Sequence, residues 1–417
     1  MNMTIDCIVI GAGASGLMAS IQAAENGANV CLIEKNKRIG KKLLMTGGGR
    51  CNVTNNRTNE EIIQHIIGNG KFLYSSLNQF SAHDIIDFFE QCGVKLKEED
   101  HGRMFPVTDK SQTIVDALYN KLLELNVTIL TNTTVENILK ENGQIIGVKT
   151  NKGQFLSPSV IVATGGRSYP STGSTGDGYR FAKKSGHTLS KLYATESPLI
   201  SDEPFILDKR LQGLSLRNVK LSVVNAKGKT LVTHQMDILF THFGLSGPAA
   251  LRCSSFVNQE LEISQTAKVV LDCFPEKTHE ELAEEIKRLL NGNKKSIKNA
   301  LAEFLPERLL SFLLENCAIP EQKTAEKITN EEVTRFLEMS KHFPINITKT
   351  FPIEKSFVTG GGVSLKEINP KTMESKLQKG LFFTGEVLDI NGYTGGYNIT
   401  CAFSTGAVAG REVAGRG

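Results

Sequence analysis

The chain has no apolar run of about eighteen residues, so no spanning helix is expected. It has no basic leader and no cleavage site before its first strand-like run, which points to a cytoplasmic protein. Its eight cysteines, Cys7, Cys31, Cys51, Cys92, Cys253, Cys273, Cys317 and Cys401, form no C-x-x-C pair and no zinc-like spacing. That argues against a disulfide framework, a dithiol redox centre and a thiolate metal site. Most of these cysteines sit in apolar runs and read as small buried residues. No metal is expected. Long basic runs are also missing, and the formal net charge is only +4. That balance is too mild to assign nucleic-acid binding, though it does not exclude it. What remains is an ordinary globular composition, 40% hydrophobic and 22% charged over 417 residues, enough for two or three structural units.

The informative stretch is the first fifty or so residues. The apolar run Cys7-Ile8-Val9-Ile10 ends in Gly11, Gly13 and Gly16, spaced G-x-G-x-x-G. A helical pattern follows to Gly27, and a second strand, Val30–Ile33, ends on Glu34. The first glycine lets the chain turn off the strand, the second lets a pyrophosphate approach the backbone, and the third lets helix and strand pack closely. The helix start then offers free N–H groups to phosphates. Glu34 stands where an acid accepts hydrogen bonds from a ribose and favours a free 2′-OH, hence FAD or NAD over NADP.

Next comes Thr46-Gly47-Gly48-Gly49-Arg50-Cys51-Asn52, a loop with many free backbone N–H groups, suited to wrapping a ligand rich in anionic or carbonyl oxygens. Helical patterns fill residues 60 to 93 and 111 to 125. Strands are expected at 94–97, 127–130, 134–140 and 144–150, the last two joined by Asn142-Gly143. Strand 160–163 leads into Thr164-Gly165-Gly166, a second return toward a nucleotide. No second G-x-G-x-x-G unit with a trailing acid is present for a resident nicotinamide cofactor. Residues 197 to 274 read as short β runs and 278 to 341 as helices. Glycine-rich segments then resume at Gly360-Gly361-Gly362 and at Thr384-Gly385-Glu386, and Gly395-Gly396 opens a helix over 400–413. The division expected is 1–192 as the first part of a nucleotide-binding domain, 193–345 as an insert (193–275 β-rich, 276–345 helical), and 346–417 as the second part.

On Gly11–Gly16, Gly40–Asn55, Ala163–Gly166, Phe240–Pro248, Gly360–Val363 and Gly380–Ile399, the chain resembles the BaiN-like family of FAD-dependent oxidoreductases, within the two-dinucleotide-binding-domain flavoproteins. The resemblance covers essentially the whole chain. It implies an α/β fold: a Rossmann-type FAD domain of central parallel sheet and small β-meander, with an inserted β pseudo-barrel plus helices. It implies Gly11, Gly13, Ala14, Ser15 and Gly16 at the pyrophosphate, Glu34 and Lys35 at the adenosine ribose, and Val135 at the adenine. It also implies Lys42, Thr46, Gly49, Arg50, Cys51, Asn52, Ala163, Thr164, Gly165, Gly385, Glu386, Asp389, Gly396, Tyr397, Asn398 and Ile399 along the rest of the cofactor. Members have been tied to C=C reduction in steroid-like substrates, to uridine reduction in ribosomal RNA and to amine oxidation.

The leading expectation is hydride transfer from reduced flavin to an activated C=C bond, with NADH or NADPH as the transient donor. A proton donor is needed on the other carbon, and Cys51, His242, Tyr393 and Tyr169 are the candidates. An RNA substrate would call for a basic cleft, for which Lys209, Arg210, Arg217, Lys294, Lys295, Lys298, Arg308 and Arg335 are available. The alternative for these is a solvated charged face. An amine oxidase is the third reading. The substrate cleft is expected beside the insert, with His242 in its wall.

Overall fold

The computed structural model describes residues 4–415. They divide into two compact units, one running to Tyr193 and resuming at Ile353, the other Ala194–Pro352. The boundary at Pro352 lies beyond the expected 345. Its reason is that strands Phe343–Ile347 and Lys349–Thr350 both pair within the sheet of the second unit.

The first unit is built on five parallel strands: β1 (Cys7–Ile10), β2 (Val30–Ile33), β3 (Thr128–Leu130), β4 (Ser159–Val162) and β5 (Leu381–Phe383). Their order across the sheet is β5-β4-β1-β2-β3, every pair parallel. Both faces of such a sheet must be covered, which is why β1, β2, β4 and β5 are buried throughout and, apart from Ser159, apolar. Helix α1 (Ala14–Glu25) and the C-terminal helix α2 (Tyr397–Ala414) pack closely together. A Cβ on Gly406 or Gly410 would stand 2.3 Å from a backbone oxygen of α1, so only glycine permits that approach. The chain moves outward from β1 through β2 to β3, then returns to the other side of β1 at β4. That reversal is a topological switch point, where the carboxyl ends of adjacent strands leave a crevice for ligands. A three-stranded antiparallel meander (Val135–Glu141, Gln144–Thr150, Gly153–Leu156) completes the expected Rossmann-type architecture.

The second unit is a seven-stranded antiparallel sheet. Its two outermost strands, Phe343–Ile347 and Lys349–Thr350, are separated by a single residue yet lie at opposite ends of the strand order. The sheet must therefore curl round on itself, as the pseudo-barrel expectation required. Helix Pro248–Leu261 packs against several of its strands. The reading of 197–274 as β throughout is corrected here. Helices His279–Leu290, Glu307–Asn316 and Asn330–Lys341 share one apolar core with this sheet, contributing Leu282, Ile286, Leu310, Leu313 and Phe336.

Candidate functional site

The switch point is lined as a nucleotide cradle. Gly11 leaves β1 at φ 101°, and a Cβ there would lie 2.6 Å from the Ala163 carbonyl at the end of β4. A Cβ on Gly16 would lie 1.9 Å from the Gly11 carbonyl. A Cβ on Gly13, between them, meets nothing within 4 Å. Two glycines are thus fixed by protein packing, while the third faces open space, as a bound pyrophosphate requires. Gly13 is also the N-cap of α1, where no side chain caps the helix, so the free N–H groups after Ala14 point out of the end of α1. Ser15 is buried against the other side of the crevice, its hydroxyl donating to the Thr384 carbonyl at 3.5 Å.

Glu34 is buried at the end of β2. One carboxylate oxygen accepts the Ala12 N–H at 2.8 Å, tying the acid to the glycine turn, and the other accepts the Asn36 backbone and side-chain N–H groups at 2.8 Å each. The Thr133 N–H donates to the Glu34 carbonyl, which brings Val135 to the same end of the sheet. Lys35 is paired with Asp177 at 2.7 Å and bonds Thr175, so its charge is already matched within the protein.

Glu386 holds the far side together. Its carboxylate accepts from Lys42 at 2.8 Å, from Ser168 Oγ at 3.0 Å and from the Thr359 N–H at 2.9 Å. Burial opposes ionisation of this acid, but the Lys42 charge and these hydrogen bonds outweigh it and hold the carboxyl below its usual range. Four chain segments meet at this one group. Ser168 and Thr359 were not among the expected site residues, because a hydroxyl that binds an acid distant in sequence leaves no local pattern. Asp389 is half-buried, and burial lifts its carboxyl above the usual range against hydrogen bonds from Ser190 and Asn69.

The Gly47-Gly48-Gly49 loop takes left-handed conformations at all three glycines and again at Cys51, φ 62°. A Cβ on Gly48 or Gly49 would enter open space. Thr46 closes the loop by accepting the Cys51 N–H at 3.0 Å and donating its hydroxyl to the Leu43 carbonyl at 2.7 Å. Arg50 faces outward, bonding Glu99 at 2.7 Å and lying 4.1 Å from the centre of the Phe105 ring. Asn52 accepts the Met104 N–H at 3.2 Å, and Asn55 donates to the Gly395 carbonyl at 2.8 Å. A Cβ on Gly396 would stand 2.5 Å from the Thr54 carbonyl. The glycine-rich loop is thereby docked on the start of α2, and Gly396, its N-cap at φ 100°, provides no side-chain cap. The first N–H groups of α2, at Tyr397, Asn398 and Ile399, fall at this uncapped end. Asn398 locks the approach to it, accepting the Gly392 N–H at 2.8 Å and donating to its carbonyl at 2.7 Å. His65, also unanticipated, stacks on Tyr397 at 4.4 Å and meets Tyr393 edge-on at 6.3 Å.

Of the proton-donor candidates, Cys51, Tyr169 and Tyr393 lie in the first unit. Cys51 is fully buried, and burial, opposed by a hydrogen bond with Thr46, pushes its thiol up to about 12. Tyr393 is half-buried on the loop before α2, and Tyr169 packs near Phe357 at 5.9 Å. His242 belongs to the second unit, exposed and edge-on to Phe243 at 5.0 Å.

The residues present fit FAD. At Gly13, Gly48 and Gly49 a Cβ would meet nothing within 4 Å, so the cradle is open at each of them. Two buried hydroxyls, Thr164 Oγ1 and Thr384 Oγ1, just beyond the ends of β4 and β5, have no hydrogen-bond partner among the described residues.

A parallel sheet with a glycine cradle at its switch point, a ribose-type acid and a second return of the chain on a Gly-Glu turn defines a dinucleotide-binding flavoprotein. The model for the HI0933-like protein Rossmann domain matches residues 5–412, and the chain belongs to that family of FAD-dependent oxidoreductases. A relative from Haemophilus influenzae named ribosomal RNA dihydrouridine synthase is 31% identical over 408 residues, 97% of each chain. A Clostridium scindens relative named 3-dehydro-bile acid delta(4,6)-reductase is 30% identical over 416 residues, 98% of each. Among solved structures, 3-ketosteroid-delta4-(5alpha)-dehydrogenase from Rhodococcus jostii RHA1 superposes with a TM-score of 0.54 at 15% identity, over 99% of this chain and 97% of that one. That likeness is one of fold.

Proposed function

We propose that the protein is a flavin-dependent reductase that saturates a C=C bond conjugated to a carbonyl, with NADH or NADPH as electron source. The observation that carries this reading is the uncapped start of α2. Its N–H groups and positive dipole end stabilise negative charge, and reduced flavin is an anion along its N1–C2=O edge. FAD, when bound, supplies the hydride to one carbon of the double bond. The residues of this chain do the rest. The α1 N-terminus and Gly13 receive the pyrophosphate, Glu34 orders the adenosine ribose, and Glu386 with Asp389 faces the ribityl chain. Tyr393 is the group we assign to the proton for the second carbon. It sits on the loop that Asn398 locks at the α2 start, whereas the Cys51 thiol is too weak an acid to give up its proton readily. His242 and Tyr169 remain secondary candidates.

The names of the two relatives support the reaction type. A 3-oxo-Δ4,6 system and the uracil ring are both C=C bonds conjugated to a carbonyl, and both names describe products of saturation. A uridine in RNA is the second reading, favoured by the H. influenzae relative. The insert's basic residues give it mixed support. Arg210 pairs with Glu315, Lys298 pairs with Glu307 and Glu321, and Arg308 and Arg335 bond backbone carbonyls. Arg217, Lys294 and Lys295 are exposed.

The test is anaerobic reduction of the holoprotein by NADH and by NADPH, followed at the flavin band. The reduced protein is then offered a 3-oxo-Δ4 steroid, unmodified ribosomal RNA or dioxygen. Rapid reoxidation by an enone or by RNA, with Tyr393→Phe slowing that half-reaction more than about tenfold and leaving reduction intact, is the expected result. Reoxidation by dioxygen alone, after reduction by an amine, would replace this reading with the oxidase.

A further inference from the structure

We propose that His279, Glu338 and His342 form a binding site for a divalent cation of the zinc class, bracing the helical part of the insert. The three side chains come from two helices of one unit. His279 is the first residue of helix His279–Leu290, and Glu338 and His342 are one turn apart at the end of helix Asn330–Lys341. One candidate ligand atom from each lies within 4.8 Å of the others. His279 Nε2 is 3.8 Å from one Glu338 oxygen, and His342 Nδ1 is 3.3 Å from the other. The shorter separation matches a ligand-to-ligand edge around a tetrahedral zinc, about 3.3–3.4 Å for bonds of about 2.0–2.1 Å, and the longer one must close by a few tenths of an ångström when an ion binds. The two imidazoles lie nearly parallel, ring centres 5.4 Å apart at 22°.

The frame that presents these groups is fixed independently of any ion. Lys341, buried beside His342, pairs with Asp272 at 3.0 Å and donates to the Phe274 and Lys277 carbonyls at 2.8 Å each. It therefore pins the end of one helix to the segment leading into the other. Thr278 caps the second helix through a reciprocal pair with Glu281, which sets the direction of His279. Two imidazoles and one carboxylate are a borderline donor set suited to zinc, leaving a fourth position for water. The sequence spacing hid the group, because sixty-odd residues separate the histidines.

The experiment uses the flavin-loaded full-length protein, stripped with a chelator and titrated with zinc chloride against a chromophoric zinc indicator. Wild type is expected to bind one equivalent saturably, and its thermal midpoint is expected to rise with zinc. His279→Ala and His342→Ala should each weaken that binding by at least about tenfold and abolish the thermal shift, with flavin content unchanged. Failure of wild type to bind saturably overturns the proposal. So does equal affinity in the variants, which would place the zinc on the cysteines. If either alanine variant folds poorly, Glu338→Gln, which keeps the helix and removes the anionic ligand, must show the same loss.

Discussion

Lys42→Met is the sharpest perturbation of the cofactor site, because one cation there sets the ionisation of a group on which four chain segments converge. Removing Lys42 leaves Glu386 with Ser168 and the Thr359 N–H but without a counter-charge. Breaking a fully buried ion pair costs about 3–5 kcal/mol. The Glu386 side chain is 19% exposed and Lys42 28%, so solvent screening reduces this to about 2–3 kcal/mol at neutral pH. The loss should depend on pH. In the native protein the carboxyl is held low, so its ionised form contributes stability above the unfolded value of about 4.3, and that contribution disappears as pH falls through the folded pKa. Without Lys42, burial, already the largest single influence, is opposed only by the Thr359 and Ser168 hydrogen bonds, and the folded pKa is expected to rise above the unfolded one. The carboxylate then destabilises the fold increasingly as pH rises from about 4 toward that raised value. Urea denaturation of the apoprotein at a series of pH values measures both curves. The deficit of Lys42→Met should be largest near neutrality and shrink toward acid pH, and Glu386→Gln introduced alongside it should recover most of the loss. A deficit independent of pH, or a double variant as unstable as the sum of the singles, would refute the coupling.

Gly13→Val should leave the apoprotein's melting temperature nearly unchanged and abolish FAD retention, because its side chain enters space that no protein atom occupies. Flavin released from denatured protein, counted per chain, checks this; a destabilised apoprotein would mean that the open space serves folding. Glu34→Ala should weaken FAD binding by about 1.5–3 kcal/mol, the scale of a hydrogen bond to a charged group. Titration of apoprotein with FAD by flavin fluorescence reads it, and unchanged affinity would remove the acid from the ribose.

The parallel sheet was readable because four of its five strands are buried on both faces and, apart from Ser159, are apolar. Gln144–Thr150 begins and ends where the Asn-Gly turn required, and the other strands shift by a residue or two. Helix Pro248–Leu261 was missed for the same physical reason that it matters. It packs against several strands, so Ala249, Ala250, Cys253, Ser254 and Ser255 are all buried and no polar face marks a helical period. Its readable signal was Pro248 just inside the start, after Gly247. Phe343–Ile347 alternates buried and exposed residues, a strand signature interrupted by Pro344, which is tolerated because the strand lies at the end of the sheet order.

The candidate site divides along a similar line. Positions where backbone geometry is the requirement, such as Gly11, Gly16, Gly385 and Gly396, announce themselves, because only glycine can take the conformation or the close approach. Positions whose role is to hold another side chain do not. Ser168 and Thr359 are ordinary polar residues until the fold delivers Glu386 to them, and Asn55 matters through the Gly395 carbonyl, 340 residues away. Lys42 falls between the two classes. Its charge is visible in the sequence, but its partner lies 344 residues on. The glycine pattern therefore marks the candidate cradle for a dinucleotide, while the long-range polar contacts hold the groups around it. Substitutions of the first class should abolish cofactor retention outright, and those of the second should lower stability and occupancy by degrees.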